Sequence, residues 1–141
     1  MKRILTSLLL LVGISAFAQT ATTTTTATST TTGLSTKAKS LCQTWTLTQT
    51  ENFGDVHKPT EAQKGDKLVL MESTRFTLVK DGAVVSGVWS LDKTNVWLTL
   101  TGDDGVVIKY KIVESTATTL KIDYRDSDDI HNILYYSVAA K

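Results

Sequence analysis

The stretch RFTLVKDGAVVSGVWSL, Arg75 to Leu91, decides the fold. Phe76 and Leu78 lead into Asp81-Gly82. Beyond that pair, Val85, Gly87, Trp89 and Leu91 share one parity, and Val84, Ser86, Val88 and Ser90 share the other. Side chains of a strand alternate between faces, so period-two patterning on both sides of an Asp-Gly reads as a β-hairpin. Both central residues of a type I′ turn need φ > 0, which Asp tolerates and Gly adopts freely.

The same pattern continues in both directions. Leu41, Gln43, Trp45 and Leu47 alternate with Cys42, Thr44, Thr46 and Thr48, and Leu68 and Leu70 alternate with Lys67 and Val69. Downstream, Val96, Leu98 and Leu100 alternate with Trp97 and Thr99, and Val106, Ile108, Tyr110 and Ile112 with Lys109 and Lys111. Leu120, Ile122 and Tyr124 follow, and Ile130, Asn132, Leu134, Tyr136 and Val138 end the series. That makes eight predicted strands, and no segment keeps a helical period over three turns. Most connections are short and carry Asp, Asn or Gly. The exception is Thr50 to Asp66, which holds the chain's single proline, Pro59. Hairpin after hairpin with one apolar parity predicts an all-β fold, an up-and-down antiparallel eight-stranded β-barrel. Closure removes the two exposed edges that an open meander would leave.

The front of the chain reads differently. Lys2 and Arg3 precede an apolar run from Ile4 to Ile14, and Ala16-Phe17-Ala18 is a small-x-small cleavage site. This is the anatomy of a secretory signal peptide, residues 1–18. The run would rise roughly 16 Å as a helix, too short for a hydrocarbon core of ~30 Å. No stable membrane span is expected after cleavage, and the mature protein is expected to be exported, periplasmic or extracellular. Residues 19–39 read as a Thr-rich disordered tether: ten of the 13 residues from Thr20 to Thr32 are Thr. Such a run has no apolar face with which to offset the entropy of ordering it. An O-glycosylated stalk and an added edge strand are the alternatives. Residues 40–141 form the barrel domain.

Composition narrows the function. The 141 residues hold 15 Lys and Arg against 14 Asp and Glu, a formal charge of +1. Loss of Lys2 and Arg3 with the leader takes this to −1. A nucleic-acid binder would want a basic face, so no nucleic-acid partner is expected. One Cys, Cys42, excludes an intrachain disulfide; it reads as a covered small hydrophobe or as a free thiol for a partner chain. Two His and one Cys make a structural zinc site unattractive. The Asp-rich turns, Asp103-Asp104 and Asp123 to Asp129, lack the Gly-centred loop and distal Glu of an EF-hand, so no metal or other cofactor is expected. His57 and His131 sit in no nucleophile motif, and the chain is expected not to be an enzyme.

The stretch Leu41 to Tyr136 resembles the small bacterial lipocalin-like domains of exported proteins. The likeness rests on Trp45 in LCQTWTL, on Arg75-Phe76-Thr77-Leu78 entering Asp81-Gly82, on SGVWSL with its G-x-W-x-L, on VWLTL and on Leu120-Lys121-Ile122. Gln43 stands where the family usually has Gly. The resemblance implies an eight-stranded calycin-like barrel and a small apolar ligand inside it.

The candidate ligand-binding residues are Trp45, Arg75, Trp89, Tyr110, Tyr124 and Tyr136. Trp45 and Trp89 read as cavity lining or as core plugs, since a small barrel is just wide enough for side chains to fill. The three tyrosines suit a pocket mouth or a wet rim, and Arg75 a polar anchor at a strand start. Gln43 and Asn132 are amides on nominally inward positions, a hint of a wet cavity, unless a bulge shifts the parity. Trp97 should point outward. Two functions follow: an exported module binding a small apolar or amphipathic ligand, or a plugged barrel acting as a protein-interaction or surface module. The second would use the Trp97 face or the Thr50–Asp66 loop.

Overall fold

The computed structural model describes residues 33–126 and 129–138. The leader, the Thr tract and Asp128 lie outside the described residues. The chain runs α1 (Thr36–Leu41), β1 (Thr44–Asn52), β2 (Asp55–His57), a 3₁₀ turn (Glu61–Gln63), β3 (Lys67–Leu70), β4 (Arg75–Lys80), β5 (Ala83–Leu91), β6 (Trp97–Gly102), β7 (Val107–Ser115), β8 (Thr119–Arg125) and β9 (His131–Val138). From β3 to β9 each strand pairs antiparallel with the next, and β1 pairs with both β3 and β9. Eight strands therefore close an up-and-down antiparallel barrel, as the alternation predicts. The ninth strand, β2, lies outside the closed ring.

That ninth strand corrects the reading of Thr50 to Asp66 as one long loop. β1 runs on to Asn52 and turns through Phe53 and Gly54, both at positive φ, into β2. Phe is an unusual residue for that conformation, and the short three-pair ladder carried no alternation to read. A second correction concerns the start. Leu41 is not on a strand but ends α1, and residues 36–39, assigned above to the tether, are its first turn. Ser35 caps the helix by accepting from the Ala38 N–H at 3.1 Å. One turn and a half is too short to show a 3.6-residue period, so sequence patterning missed it. Among the described residues no helix is long and apolar enough to cross a membrane.

The helix closes one end of the barrel, here called the lower end. Leu41 is fully buried, and its carbonyl accepts from Trp45 Nε1 at 3.0 Å. Trp89 Nε1 donates to the Met71 carbonyl, also at 3.0 Å. Above these indoles the inward parity is filled by Leu47, Leu68, Leu70, Phe76, Leu78, Leu98, Leu100, Leu120 and Ile122, all buried. Each contributes roughly 1.5–3 kcal/mol by leaving water. Trp97 is 45% exposed on the outer face, as its parity predicts.

Two bulges adjust the register. Leu47 faces Tyr136 and Gln49 faces Tyr135, so Thr48 is the extra residue; its hydroxyl donates to the Tyr135 carbonyl. From there the inward residues of β1 become Thr50 and Asn52. Val113 is the extra residue on β7.

Gly87 faces Gly102 across β5 and β6. A Cβ at Gly87 would lie 2.0 Å from the Thr101 carbonyl oxygen and 2.7 Å from Phe76 Cε1. The Phe76 ring therefore occupies the space a side chain would take, and the G-x-W pattern is a packing requirement. Gly87→Ala is expected to destabilise the barrel by about 3 kcal/mol, seen as a lower urea midpoint at unchanged slope. A midpoint equal to that of the parent chain would contradict this packing.

Candidate functional site

At the upper end no helix covers the barrel. The ends of β1, β4, β8 and β9 frame an open mouth of about 450 Å³. Thr50 and Asn52 reach it from β1, Lys80 and Asp81 from the β4–β5 turn, Tyr124 from β8, and Asn132 and Leu134 from β9. The segment that follows β2 forms one lip, through His57, Lys58, Thr60 and Gln63. That lip is braced locally, because the Thr60 N–H donates to Gln63 Oε1.

Tyr124 lines the mouth, and two further tyrosines, Tyr110 and Tyr136, gather behind it. The rings of Tyr110 and Tyr124 lie 5.7 Å apart and tilted, and Lys80 Nζ sits 4.9 Å from the centroid of the Tyr124 ring. Tyr110 and Tyr136 are 3% and 5% exposed, and neither hydroxyl has a hydrogen-bond partner among the described residues. Yet no buried side-chain oxygen there is left unsatisfied. Both phenol oxygens must then open onto space that solvent or a ligand can reach. Burial pushes both phenols well above the ordinary tyrosine range; Tyr124 adds to the effect at Tyr110, and Tyr110 and Asp66 add to it at Tyr136. Both stay protonated, each offering one O–H donor and two lone pairs.

Asp66 stands at the entry to β3 and is the buried charged residue of the described core, 4% exposed. Its Oδ1 accepts from the Asp81 N–H at 2.8 Å, which ties the β4–β5 turn to β3. Burial raises its carboxyl above the ordinary value; the Asp81 N–H opposes this, the Asp81 charge adds to it and the Lys80 charge opposes it.

The structure brings three of the six candidate residues together and separates the others. Tyr110, Tyr124 and Tyr136 converge below the mouth. Trp45 and Trp89 occupy the closed half, their indole N–H groups spent on Leu41 and Met71. Arg75 lies on the outer wall, where its guanidinium forms a two-pronged pair with Asp103 at 2.9 and 2.8 Å. The inward parity of Phe76 and Leu78 already assigns Arg75 to the outer face. The two amides also divide. Gln43 sits at the lower end and donates to the Ser40 and Ala117 carbonyls. Asn132 does reach the mouth, donating to Asp126 Oδ2 and the Ile130 carbonyl.

Lys80 and Asp66 are the members that sequence reading missed. Lys80 carried a usable signal, since it continues the inward parity of Phe76 and Leu78. Asp66 carried none, because an Asp at a loop end normally faces water. Cys42 is half-covered, donates to the Ala38 carbonyl, and is kept a thiol first by burial and then by Glu72. Elsewhere the carboxylates read from the sequence as turn residues are engaged: Asp103 with Arg75, Asp129 with Arg125, and Asp123, which lies on β8 and not in a turn, with His131. Among the described residues no group of three or more His, Cys, Asp or Glu is placed to hold a metal ion.

No protein-family model matches the chain, and no curated protein compared with it is similar to it.

Asp66 gives a test with a defined sign. A carboxyl raised on folding favours the fold while protonated, and that contribution is lost as pH rises through its folded value. Asp66→Asn keeps an oxygen for the Asp81 N–H but carries no charge. It is expected to melt higher than the parent chain at pH 7, with the gap closing as pH falls towards ~4. A gap that stays constant over that range would show that Asp66 is not held in this environment.

Proposed function

We propose that the chain is an exported, lipocalin-like, non-enzymatic module that binds a small amphipathic molecule in the mouth of its barrel. The observation that carries this is the open mouth framed by strand ends, lined by Tyr124, together with the two neighbouring phenols, Tyr110 and Tyr136, that no partner in the described fold engages. Their oxygens open onto space that solvent reaches, so each has a hydrogen bond to offer that no neighbour in the fold takes. A ligand that brought one acceptor or donor to each would make those bonds.

The walls say what else the ligand needs. Leu134 and the Tyr124 ring offer apolar surface, while Thr50, Asn132 and Lys80 offer polar groups. Few convergent polar groups on a partly apolar concavity is the usual make-up of a small-molecule site. The mouth, at about 450 Å³, falls within the usual ~300–1,000 Å³ of such sites. Trp45 and Trp89 fill the lower half, so the ligand is short. Export is inferred from Lys2, Arg3, the apolar run and Ala16-Phe17-Ala18.

The test is native mass spectrometry of the protein taken from its own host, followed by calorimetry with whatever molecule co-purifies. Tyr110→Phe and Tyr136→Phe are each expected to weaken binding about tenfold, the worth of one hydrogen bond of ~1.4 kcal/mol. Both variants should keep the parent melting temperature or exceed it. Arg75→Ala should bind as the parent does. Apo protein from the host, together with no thermal stabilisation across a panel of lipids, fatty acids and aromatic acids, would overturn the reading.

A further inference from the structure

A second concavity lies on the outer wall, where the ladder between β7 and β8 stops short. Registered pairing runs from Ser115–Leu120 to Lys111–Asp123 and goes no further. Above that point Val107–Tyr110 and Tyr124–Arg125 have no registered partners across the seam, and a groove of about 750 Å³ follows it. Inner residues Ile108 and Tyr124 show through it, beside outer residues Trp97, Lys109, Lys111 and Arg125.

Three features of this groove go unused by the fold. Lys109 and Lys111 form no ion pair or hydrogen bond among the described residues. They project from the same face of β7, about 7 Å apart. Two carboxylates line the groove as well: Asp123 has both oxygens turned to His131 Nδ1, at 3.1 and 3.0 Å, and Asp126 accepts from the Ile130 N–H and the Asn132 amide. Trp97, the registered neighbour of Lys111, is 45% exposed, and its indole N–H donates to nothing among the described residues.

The geometry points to a binding site for an acidic oligosaccharide, seated along this groove with a sugar ring against Trp97 and its acid groups on Lys109 and Lys111. The face of a pyranose ring is made of C–H groups and meets an indole face without losing hydration of its hydroxyls. Its rim of hydroxyls can take the Trp97 N–H and those Arg125 N–H groups not spent on Asp129. Lys109 and Lys111 stand side by side on one strand face, while the two lining carboxylates, Asp123 and Asp126, are drawn to His131, Ile130 and Asn132; the lysine pair complements carboxylates or sulfates along a chain. An acyl chain fits less well, because the groove is open along its length and would leave half of such a chain in water.

The experiment is calorimetry of the full chain with an oligogalacturonate, a neutral glucan of equal length and phosphatidylglycerol vesicles. The oligogalacturonate is expected to bind at least tenfold more tightly than the glucan, and to weaken steeply between ~50 and ~500 mM salt. The double variant Lys109→Gln/Lys111→Gln should lose at least tenfold in affinity. Trp97→Ala should lose binding, with Trp97→Phe restoring part of it. All these side chains face outward, so each variant should melt as the parent does. Tyr136→Phe should leave saccharide binding unchanged, which separates this site from the mouth. Equal affinity for acidic and neutral sugars, unchanged affinity in the double lysine variant, or binding to vesicles and not to saccharide would each overturn the proposal.

Discussion

The ladder between β1 and β9 joins the two ends of the domain through seven registered pairs, from Trp45–Val138 to Asn52–Asn132. Without it the remaining strands would be an open meander with two bare edges, and the apolar parity of eight strands would have no enclosed space to face. The same strand β1 must also pair with β3 at its lower half and with β2 at its upper half. Thr48 makes this possible. One extra residue lets β1 bend, carries it away from the short β3, and keeps inward the side chains that line the mouth. Because it joins residues about 90 positions apart, this ladder closes the longest loop of any in the barrel and carries the largest loop-closure entropy.

The two ends of the barrel then diverge in chemistry. At the lower end the polar groups that meet the core have partners: the indoles of Trp45 and Trp89, the Gln43 amide, the Ser35 cap. Lys37 reaches across from the helix to the Ser115 hydroxyl and fastens the helix further. At the upper end the polar groups are only partly engaged. Asp66 and Asn132 have partners, whereas the Tyr110 and Tyr136 hydroxyls have none among the described residues, and Lys80 rests on the Tyr124 ring.

Much of the fold was legible because alternation is a local code. Phe76, Leu78, Trp89, Leu98, Tyr110, Ile122 and Tyr136 all take the face their parity assigns. The parts that escaped were those a local code does not carry. The helix is shorter than its own period, β2 is three residues, and the bulges at Thr48 and Val113 leave no compositional mark. The site was half legible for the same reason. Parity located the tyrosines and Trp97, and read backwards from Phe76 and Leu78 it also puts Arg75 on the outer face, a signal passed over in favour of its position at a strand start. Whether an inward aromatic plugs or lines depends on height along the barrel axis, which one strand's pattern cannot state.

Trp45 and Val138 are neighbours in one ladder, at the end of the barrel remote from the mouth. Topologically the domain is therefore almost a ring, cut at its closed end. The order in which the strands are synthesised is a choice of where to cut, since every ladder links strands adjacent around the circle. Opened instead between Asp81 and Gly82, with its present ends joined by a short bridge, the same circle would describe the same barrel. In that circularly permuted chain the cut would fall at the lip of the mouth. The natural cut spares that lip, leaving the Lys80–Tyr124 contact and the Asp81 N–H to Asp66 bond on unbroken backbone.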